Sequence, residues 1–488
     1  MQSDDQNPDI PNRVTTAILL LILGIAAFLR LRDLSRTSLW YDEAVSWSQS
    51  TGSLSDLLAS VAADNYPPLH NIVLWLSMPL LGDSETALRL PSAILGSLAV
   101  WLLYLIGKEI AGRNVGLLAA ALLTVSPFHI WYSTEARMYA LLATTGLLVF
   151  LGVLKLMRNP SWLWGTVVAI GGALFLYSHI YAVFGYAGVG LVCGLNAIRD
   201  LQRGIRPRAS NAFIASAAMG ISVVLFLPWL IILAGRARAV ADAGFWIAYP
   251  DLKFLESMTF GITGSISLFW VLTALAAAAV LFQIIKPDTK QDGSISTKSL
   301  LVCLGFTIAP LLLAYLYSVT VQPILFDRYL IAAWPGFLLL ASIGANRLTG
   351  RYLSFALVPL AVYLSYSNLQ FTLLEKIRPD WRLISSEFES NSRPGDQLYL
   401  FKGFAAPALS YYLRGPDAFT PAEDTSDLAQ ASDQQSWLLL VHSNPDEIRV
   451  ALDAFDPRSR EPVARVFGWG ASALSLYSHD ELSAQPSD

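Results

Sequence analysis

Along the first three quarters of the chain, apolar residues do not alternate with polar ones but run together in blocks. A helix needs about 20 largely apolar residues to cross a hydrocarbon core of roughly 30 Å. By that rule the pattern predicts about eleven membrane spans. They centre on residues 15–31, 90–107, 114–132, 138–157, 161–178, 180–198, 211–234, 264–285, 299–319, 329–346 and 352–368. The run 71–81 is too short to cross and is expected to lie as an interfacial or re-entrant helix. Acidic residues Asp4, Asp5 and Asp9 precede the first run and no small-residue cleavage signature follows it, so it is expected to stay as a helix. After about residue 369 the pattern changes. Residues 397–401, 437–441 and 464–469 read as short strands, 381–389 and 446–454 as amphipathic helices, and the Ser/Asp-rich stretch 421–435 as a solvent loop. The expected architecture is a polytopic α-helical membrane domain, 1–368, with a long first outer loop, 32–89. A small soluble α/β domain, 369–488, follows it.

Composition agrees: 54% of the 488 residues are hydrophobic and 14% charged, against about 25% charged in soluble domains. That balance argues against a soluble enzyme. The net charge of -4 leaves no basic surface that would dominate binding to a polyanion, so nucleic acid is not a partner. Cys193 and Cys303 lie inside apolar runs and read as small core residues. Lys and Arg set the orientation, because they are retained on the cytoplasmic side. Arg13, Lys108, Arg113, Lys155, Arg158, Arg199, Arg203, Arg206, Arg208, Lys286, Lys290, Lys298, Arg347 and Arg351 crowd the loops of one side, against Arg32, Arg36, Arg89, Arg137, Arg236, Arg238, Lys253 and Arg328 in the longer loops of the other. The amino terminus is therefore expected in the cytoplasm. An odd number of spans puts the carboxyl-terminal domain outside, which for a bacterial inner-membrane protein is the periplasm.

With that orientation, the charged residues near the apolar runs gather at the outer face. In the first outer loop, Trp40, Tyr41, Asp42 and Glu43 are followed by Asp64, Asn65, Tyr66, Pro67, Pro68, Leu69 and His70. A carboxylate partly desolvated at the interface makes a better base; the alternative is that Asp42 caps a helix with Glu43 in its first turn. The double proline fixes the backbone ahead of His70, and a lone histidine is more often structural than a ligand. Glu135 and Arg137 precede Tyr139, and an unpaired charge in hydrocarbon costs about 2.5–3.5 kcal/mol on insertion scales. Either they pair with one another or a neighbouring helix, or they line a polar cavity. Arg89, His179 and Arg328, the last followed by Tyr329, carry the same ambiguity between anchor and site. Carboxylates suited to proton transfer or a metal, together with guanidinium groups that grip phosphate bidentately, suggest chemistry on a phosphate-bearing lipid.

Five segments in order are similar to the bacterial members of the protein O-mannosyltransferase superfamily, integral-membrane glycosyltransferases of the GT-C fold. Its relatives include the lipid A aminoarabinose transferases and the rhizobial lipopolysaccharide-core transferases. The segments are Trp40-Tyr41-Asp42-Glu43, Tyr66-Pro67-Pro68-Leu69-His70, Leu88-Arg89-Leu90-Pro91, Glu135-Ala136-Arg137-Met138-Tyr139-Ala140, and Arg328-Tyr329-Leu330 followed by Pro335. The resemblance implies an outward-facing enzyme of cell-envelope glycan or lipopolysaccharide synthesis. It would move a hexose or pentose from a polyprenyl-phosphate donor, with inversion, to a hydroxyl of a lipid, glycan or protein acceptor. Asp42 would be the general base, with Glu43 orienting it through Arg89. Arg89, Arg137 and Arg328 would bind the donor phosphate, and Tyr41, Asp64, Tyr66, Tyr139 and Tyr329 would support the site. Glu135, His70 and His179 are the residues suited to a divalent metal cation, the one cofactor the resemblance admits.

Absent motifs point the same way. The chain has no Asp-x-Asp pair of the kind many nucleotide-sugar transferases use, no P-loop and no His-Glu-x-x-His helix. The rival from another class is a transporter or flippase of lipid-linked sugars. Such folds usually show related halves and midplane charges, and the sequence displays neither.

Overall fold

A computed structural model describes residues 12–64, 66–243, 247–285, 295–428, 436–455, 461–467 and 473–479. The chain separates into two compact units. One comprises Met1–Arg32, Gly52–Leu80 and Arg89–Leu374; the other comprises Asp33–Thr51, Leu81–Leu88 and Glu375–Asp488. The segment 32–89 expected as a single outer loop therefore contributes to both.

The first unit is helical. Among the described residues, seven helices are long and apolar enough to cross a membrane: Asn12–Leu31, Glu85–Ala111, Tyr139–Arg158, Ala182–Gln202, Asn211–Arg236, Ile266–Ile285 and Thr297–Thr320. The number reaches nine if each of two bent pairs is one span. The eleven apolar runs translate into fewer straight helices for local reasons. The run 161–178 forms Trp162–Ser178, only 17 residues long, and 71–81 lies within the 13-residue Leu69–Leu81. The run 352–368 is divided between Leu357–Leu364 and Tyr366–Gln370. The run 114–132 bends by 65° between Arg113–Val125 and Pro127–Ser133. Pro127 has no N–H to continue the ladder, and Ser126 starts the second helix by accepting from the His129 N–H at 3.4 Å.

That break leaves orphan carbonyls. The Arg30 guanidinium, wholly buried in the first span, donates to Leu123 O at 2.9 Å, Thr124 O at 3.4 Å and His129 Nδ1 at 3.0 Å. Elsewhere helices meet at glycines: a Cβ on Gly188 would sit 2.2 Å from Gly305 O, and one on Gly344 would sit 1.8 Å from Leu275 O. Such backbone contact suits helices in lipid, where packing rather than water exclusion drives association. Leu20, Leu21 and Phe28 on the first span, and Ile284 and Ile285 on Ile266–Ile285, point outward and are exposed. A lipid solvent accommodates them.

The second unit is built on a five-stranded sheet of β1 (Gln397–Phe401), β2 (Thr420–Ala422), β3 (Ser436–Val441), β4 (Ala464–Phe467) and β5 (Ala473–Ser478), in the order β2-β1-β3-β5-β4. Both β2 and β3 run parallel to β1, and β5 is antiparallel to β3 and β4. Side chains alternate across it. Leu398, Leu400, Trp437 and Leu439 pack on one face with Trp381 and Leu409, while Tyr399, Phe401, Leu438 and Leu440 pack on the other with Leu452 and Phe455. With both faces covered, β3 is buried along its whole length. Strands β2 and β5 were not anticipated: three residues containing Pro421 carry almost no periodic signal, and the expected last strand was run on to residue 469, across Gly468, with no second strand placed after it. Of the expected strand 464–469, residues 468 and 469 lie outside the described residues, as do 429–435 of the expected solvent loop and Lys286 and Lys290.

Candidate active site

The candidate residues fall into two groups, one in each unit. In the second unit, Asp42 and Glu43 lie in the first turn of the helix Tyr41–Gln49. Trp40, not Asp42, occupies the N-cap. The Glu43 side chain does the capping work, accepting from the Trp40 N–H at 3.3 Å, and is buried. Asp42 is left half-buried one residue earlier.

The carboxyl-terminal domain fixes this helix. Ala44 belongs to the same core as Trp381, Leu398 and Trp437. The Tyr41 ring packs edge-on against Phe404, Trp47 packs edge-on against Tyr411, and the Arg378 guanidinium lies 4.4 Å from the Trp40 ring centroid. Ahead of the helix, the Leu39 N–H donates to the Tyr412 hydroxyl at 2.7 Å, which donates in turn to Glu85 Oε1 at 2.7 Å. Arg382 meets the same oxygen at 2.7 Å. Ser38 Oγ donates to Pro379 O at 2.7 Å and accepts from the Trp381 N–H at 3.2 Å. None of these partners stood out in the sequence, because each is an ordinary residue in a region with no motif.

In the first unit, four chain turns bring Tyr66, Arg137, Tyr139, His179, Arg328 and Tyr329 together. Arg137 lies between Pro127–Ser133 and Tyr139–Arg158, and its carbonyl accepts from Ser92 Oγ at 3.2 Å. Arg328 and Tyr329 stand on the 3-10 turn Asp327–Leu330, which starts with the Arg328 N–H donating to Asp327 Oδ1 at 2.6 Å. The expected span 329–346 begins later, at Trp334.

The Tyr66 and Tyr329 hydroxyls are 3.1 Å apart and hydrogen-bonded. The Arg137 guanidinium lies 5.5 Å from the Tyr66 ring, and that of Arg328 lies 5.6 Å from Tyr329 and 5.9 Å from Tyr139. His179 is fully buried, with ring centroids of Tyr329 at 4.8 Å and Tyr66 at 5.4 Å. Tyr181 completes the cluster, 5.0 Å from Tyr329, its hydroxyl bonded to Ile324 O; nothing in an apolar run had singled it out.

Burial, reinforced by Arg137 and Arg328, pushes the His179 imidazole down to about 3, so it is neutral at any working pH. Burial also raises the Tyr66 phenol well above its ordinary value, keeping it a proton donor. Arg89, Glu135 and His70 are buried in the same unit and Asp64 is half-buried there. Among the described residues no three of His, Cys, Asp or Glu converge as a metal site. Glu135, His70 and His179 are thus not gathered into one.

Next to this cluster in sequence, Leu330, Ala333 and Trp334 line an apolar cavity of about 500 Å³ together with Met258, Phe269 and Phe337.

Residues 65–232 match the family described as dolichyl-phosphate-mannose-protein mannosyltransferase, a stretch that includes Tyr66, Arg137 and His179. No curated protein matches the chain by sequence. In structure, ArnT from Cupriavidus metallidurans aligns over 97% of this chain and 100% of its own at 13% identity, with a TM-score of 0.66. The same protein bound to undecaprenyl phosphate aligns over 97% and 99% at 14% identity, with a TM-score of 0.62. AglB of Archaeoglobus fulgidus, in complex with an inhibitory peptide and a dolichol-phosphate, aligns over 90% and 71% at 9% identity, with a TM-score of 0.52. The chain has the GT-C fold. The chain combines membrane-spanning helices with a small carboxyl-terminal sheet.

Proposed function

We propose that this protein is an inverting glycosyltransferase that moves a sugar from a polyprenyl-phosphate donor to an acceptor hydroxyl at the outer face of a bacterial inner membrane. The observation that carries the reading is the pairing, within one unit, of a cluster holding Arg137, Arg328 and two hydrogen-bonded phenols with an apolar cavity that starts at the adjoining Leu330. Those are complements of the head and the tail of a lipid phosphate. The undecaprenyl phosphate bound to ArnT and the dolichol-phosphate bound to AglB support the same donor class. The distribution of Lys and Arg supports a cytoplasmic amino terminus and a periplasmic carboxyl-terminal domain.

The chemistry follows from the residues. Asp42 takes the proton of the acceptor hydroxyl as its oxygen attacks the anomeric carbon, and the bond from that carbon to the phosphate oxygen breaks on the opposite face. Glu43, held against the Trp40 amide, fixes the turn that presents Asp42. The departing lipid phosphate gains one negative charge, which Arg89, Arg137 and Arg328 balance in surroundings poor in water. A phosphate monoester is a good leaving group, so no general acid is required.

The test is transfer by the full-length protein in lipid nanodiscs, offered polyprenyl-phosphate sugars and nucleotide sugars side by side. Release of polyprenyl phosphate from the lipid donors alone is the expected result. In sealed liposomes carrying the same protein, movement of intact lipid-linked sugar across the bilayer with no release would replace the enzyme by a transporter.

A further inference from the structure

His179 is wholly buried in the cluster, and one of its two ring nitrogens is accounted for. Nδ1 accepts a hydrogen bond from the Tyr181 N–H at 3.1 Å. A neutral imidazole that accepts at Nδ1 carries its proton on Nε2. Nε2 is buried and has no hydrogen-bond partner among the described residues. It is therefore a buried N–H donor without an acceptor, a condition that costs free energy unless a ligand relieves it.

The same hydrogen bond bears on a metal. A histidine that ligates through Nε2 almost always donates its Nδ1–H to a carbonyl or carboxylate. Here Nδ1 faces an amide N–H, so a proton on Nδ1 would set two donors against each other. The charges nearest the ring are also of the wrong sign for a cation, since Arg137 and Arg328 both act on it.

We infer that His179 is a ligand of the donor's phosphate, its Nε2–H donating to a phosphate oxygen between Arg137 and Arg328, rather than a metal ligand. The inference rests on the lipid-phosphate reading above. The Tyr66 and Tyr329 rings pack at a tilt against the imidazole and their hydroxyls bond to each other. An anion that reaches Nε2 exchanges that bond for one from each phenol, so three neutral donors and two guanidinium groups meet one phosphate. Neutral donors are useful here: they recognise the anion without adding to the mutual repulsion of the two arginines.

The test uses the full-length protein in nanodiscs and measures binding of undecaprenyl phosphate against undecaprenol, which has the same tail without the anion. Wild type is expected to prefer the phosphate. His179→Phe is expected to lose that preference by about tenfold or more, and His179→Gln, whose amide NH₂ stands near the place of Nε2, to keep most of it. Melting temperatures report whether each variant is folded. Zn²⁺ and Mn²⁺ titrations are expected to be the same for wild type and His179→Phe. If wild type binds both lipids alike, the lipid-phosphate reading itself fails. If wild type discriminates and folded His179→Phe discriminates as well, or if both variants lose the preference equally, the role of Nε2–H is overturned while the donor class stands. Metal binding that His179→Phe abolishes would likewise overturn it.

Discussion

Arg137 and Arg328 differ from lysines in more than pKa. Each presents a planar fork that grips two phosphate oxygens and stacks on an aromatic face, as Arg137 does on Tyr66 and Arg328 on Phe326. Arg137→Lys and Arg328→Lys are each expected to lower turnover about 10- to 100-fold although the charge is kept, read as the initial rate of polyprenyl phosphate release. Because charge grows on the leaving group only in the transition state, kcat should fall further than KM rises; a change confined to KM would make them ground-state anchors. His179 contributes no charge at working pH, because burial beside the two guanidinium groups holds it at about 3. Its folded value lies below the ordinary one near 6.5, so protonation is unfavourable in the folded protein and no tightening from it sets in as pH falls through 6.5. Donor-affinity profiles of wild type and His179→Gln should therefore run parallel between pH 5 and 8, and a rise below 6.5 present in wild type alone would contradict a neutral imidazole. These residues were legible in the sequence because a charge or a histidine amid apolar runs is expensive enough to need a reason. Arg30 was not, since an arginine at the end of a span looks like an anchor reaching for the interface. Only the structure reveals that it donates inward, to Leu123 and Thr124.

The broken helix is where local sequence and function meet. Pro127 ends one helical segment, Ser126 caps the next, and the short helix Pro127–Ser133 leads directly into Glu135 and Arg137. Arg30 holds the break together, so Arg30→Met should leave the Leu123 and Thr124 carbonyls without its guanidinium donor. It is expected to destabilise the protein by about 1–3 kcal/mol, measured as a lower denaturation midpoint in detergent. An unchanged midpoint would mean that the break needs no cap. In the other unit, Tyr412→Phe removes the hydroxyl that joins the Leu39 amide to Glu85. A loss of similar size is expected from circular-dichroism melting, with slower transfer because the backbone leading to Asp42 loosens. Apolar runs located the helices well but their breaks poorly, because a single proline bends a span without altering its hydropathy. The apolar runs of β1 and β3 were readable as strands, whereas β2 was too short to carry a period and β5 was passed over.

At the scale of the whole molecule, the division of labour is uneven. The helix bearing Asp42 belongs to the unit built around the carboxyl-terminal sheet, while the arginine and tyrosine cluster and the apolar cavity belong to the other unit. A chain ending at residue 374 is thus expected to keep its preference for undecaprenyl phosphate over undecaprenol and to lose transfer, since Trp381, Tyr412 and Phe404 no longer hold the Tyr41–Gln49 helix. Transfer that survives the truncation would show that this helix needs no such support. The change of composition near residue 369 lies close to the unit boundary at Leu374 and Glu375, but nothing in the sequence marked residues 33–51 and 81–88 as packing with the carboxyl-terminal part, because packing across such distances along the chain leaves no local pattern. The most direct test of the account is donor consumption by wild type and by Asp42→Asn in nanodiscs, followed by mass spectrometry of donor and released polyprenyl phosphate. The account predicts that wild type consumes one polyprenyl-phosphate sugar and that the Asn variant binds the same donor but spares it. Equal consumption by both would remove Asp42 as the base, and no consumption by wild type, with envelope lipids and glycans supplied as acceptors, would contradict the transferase itself.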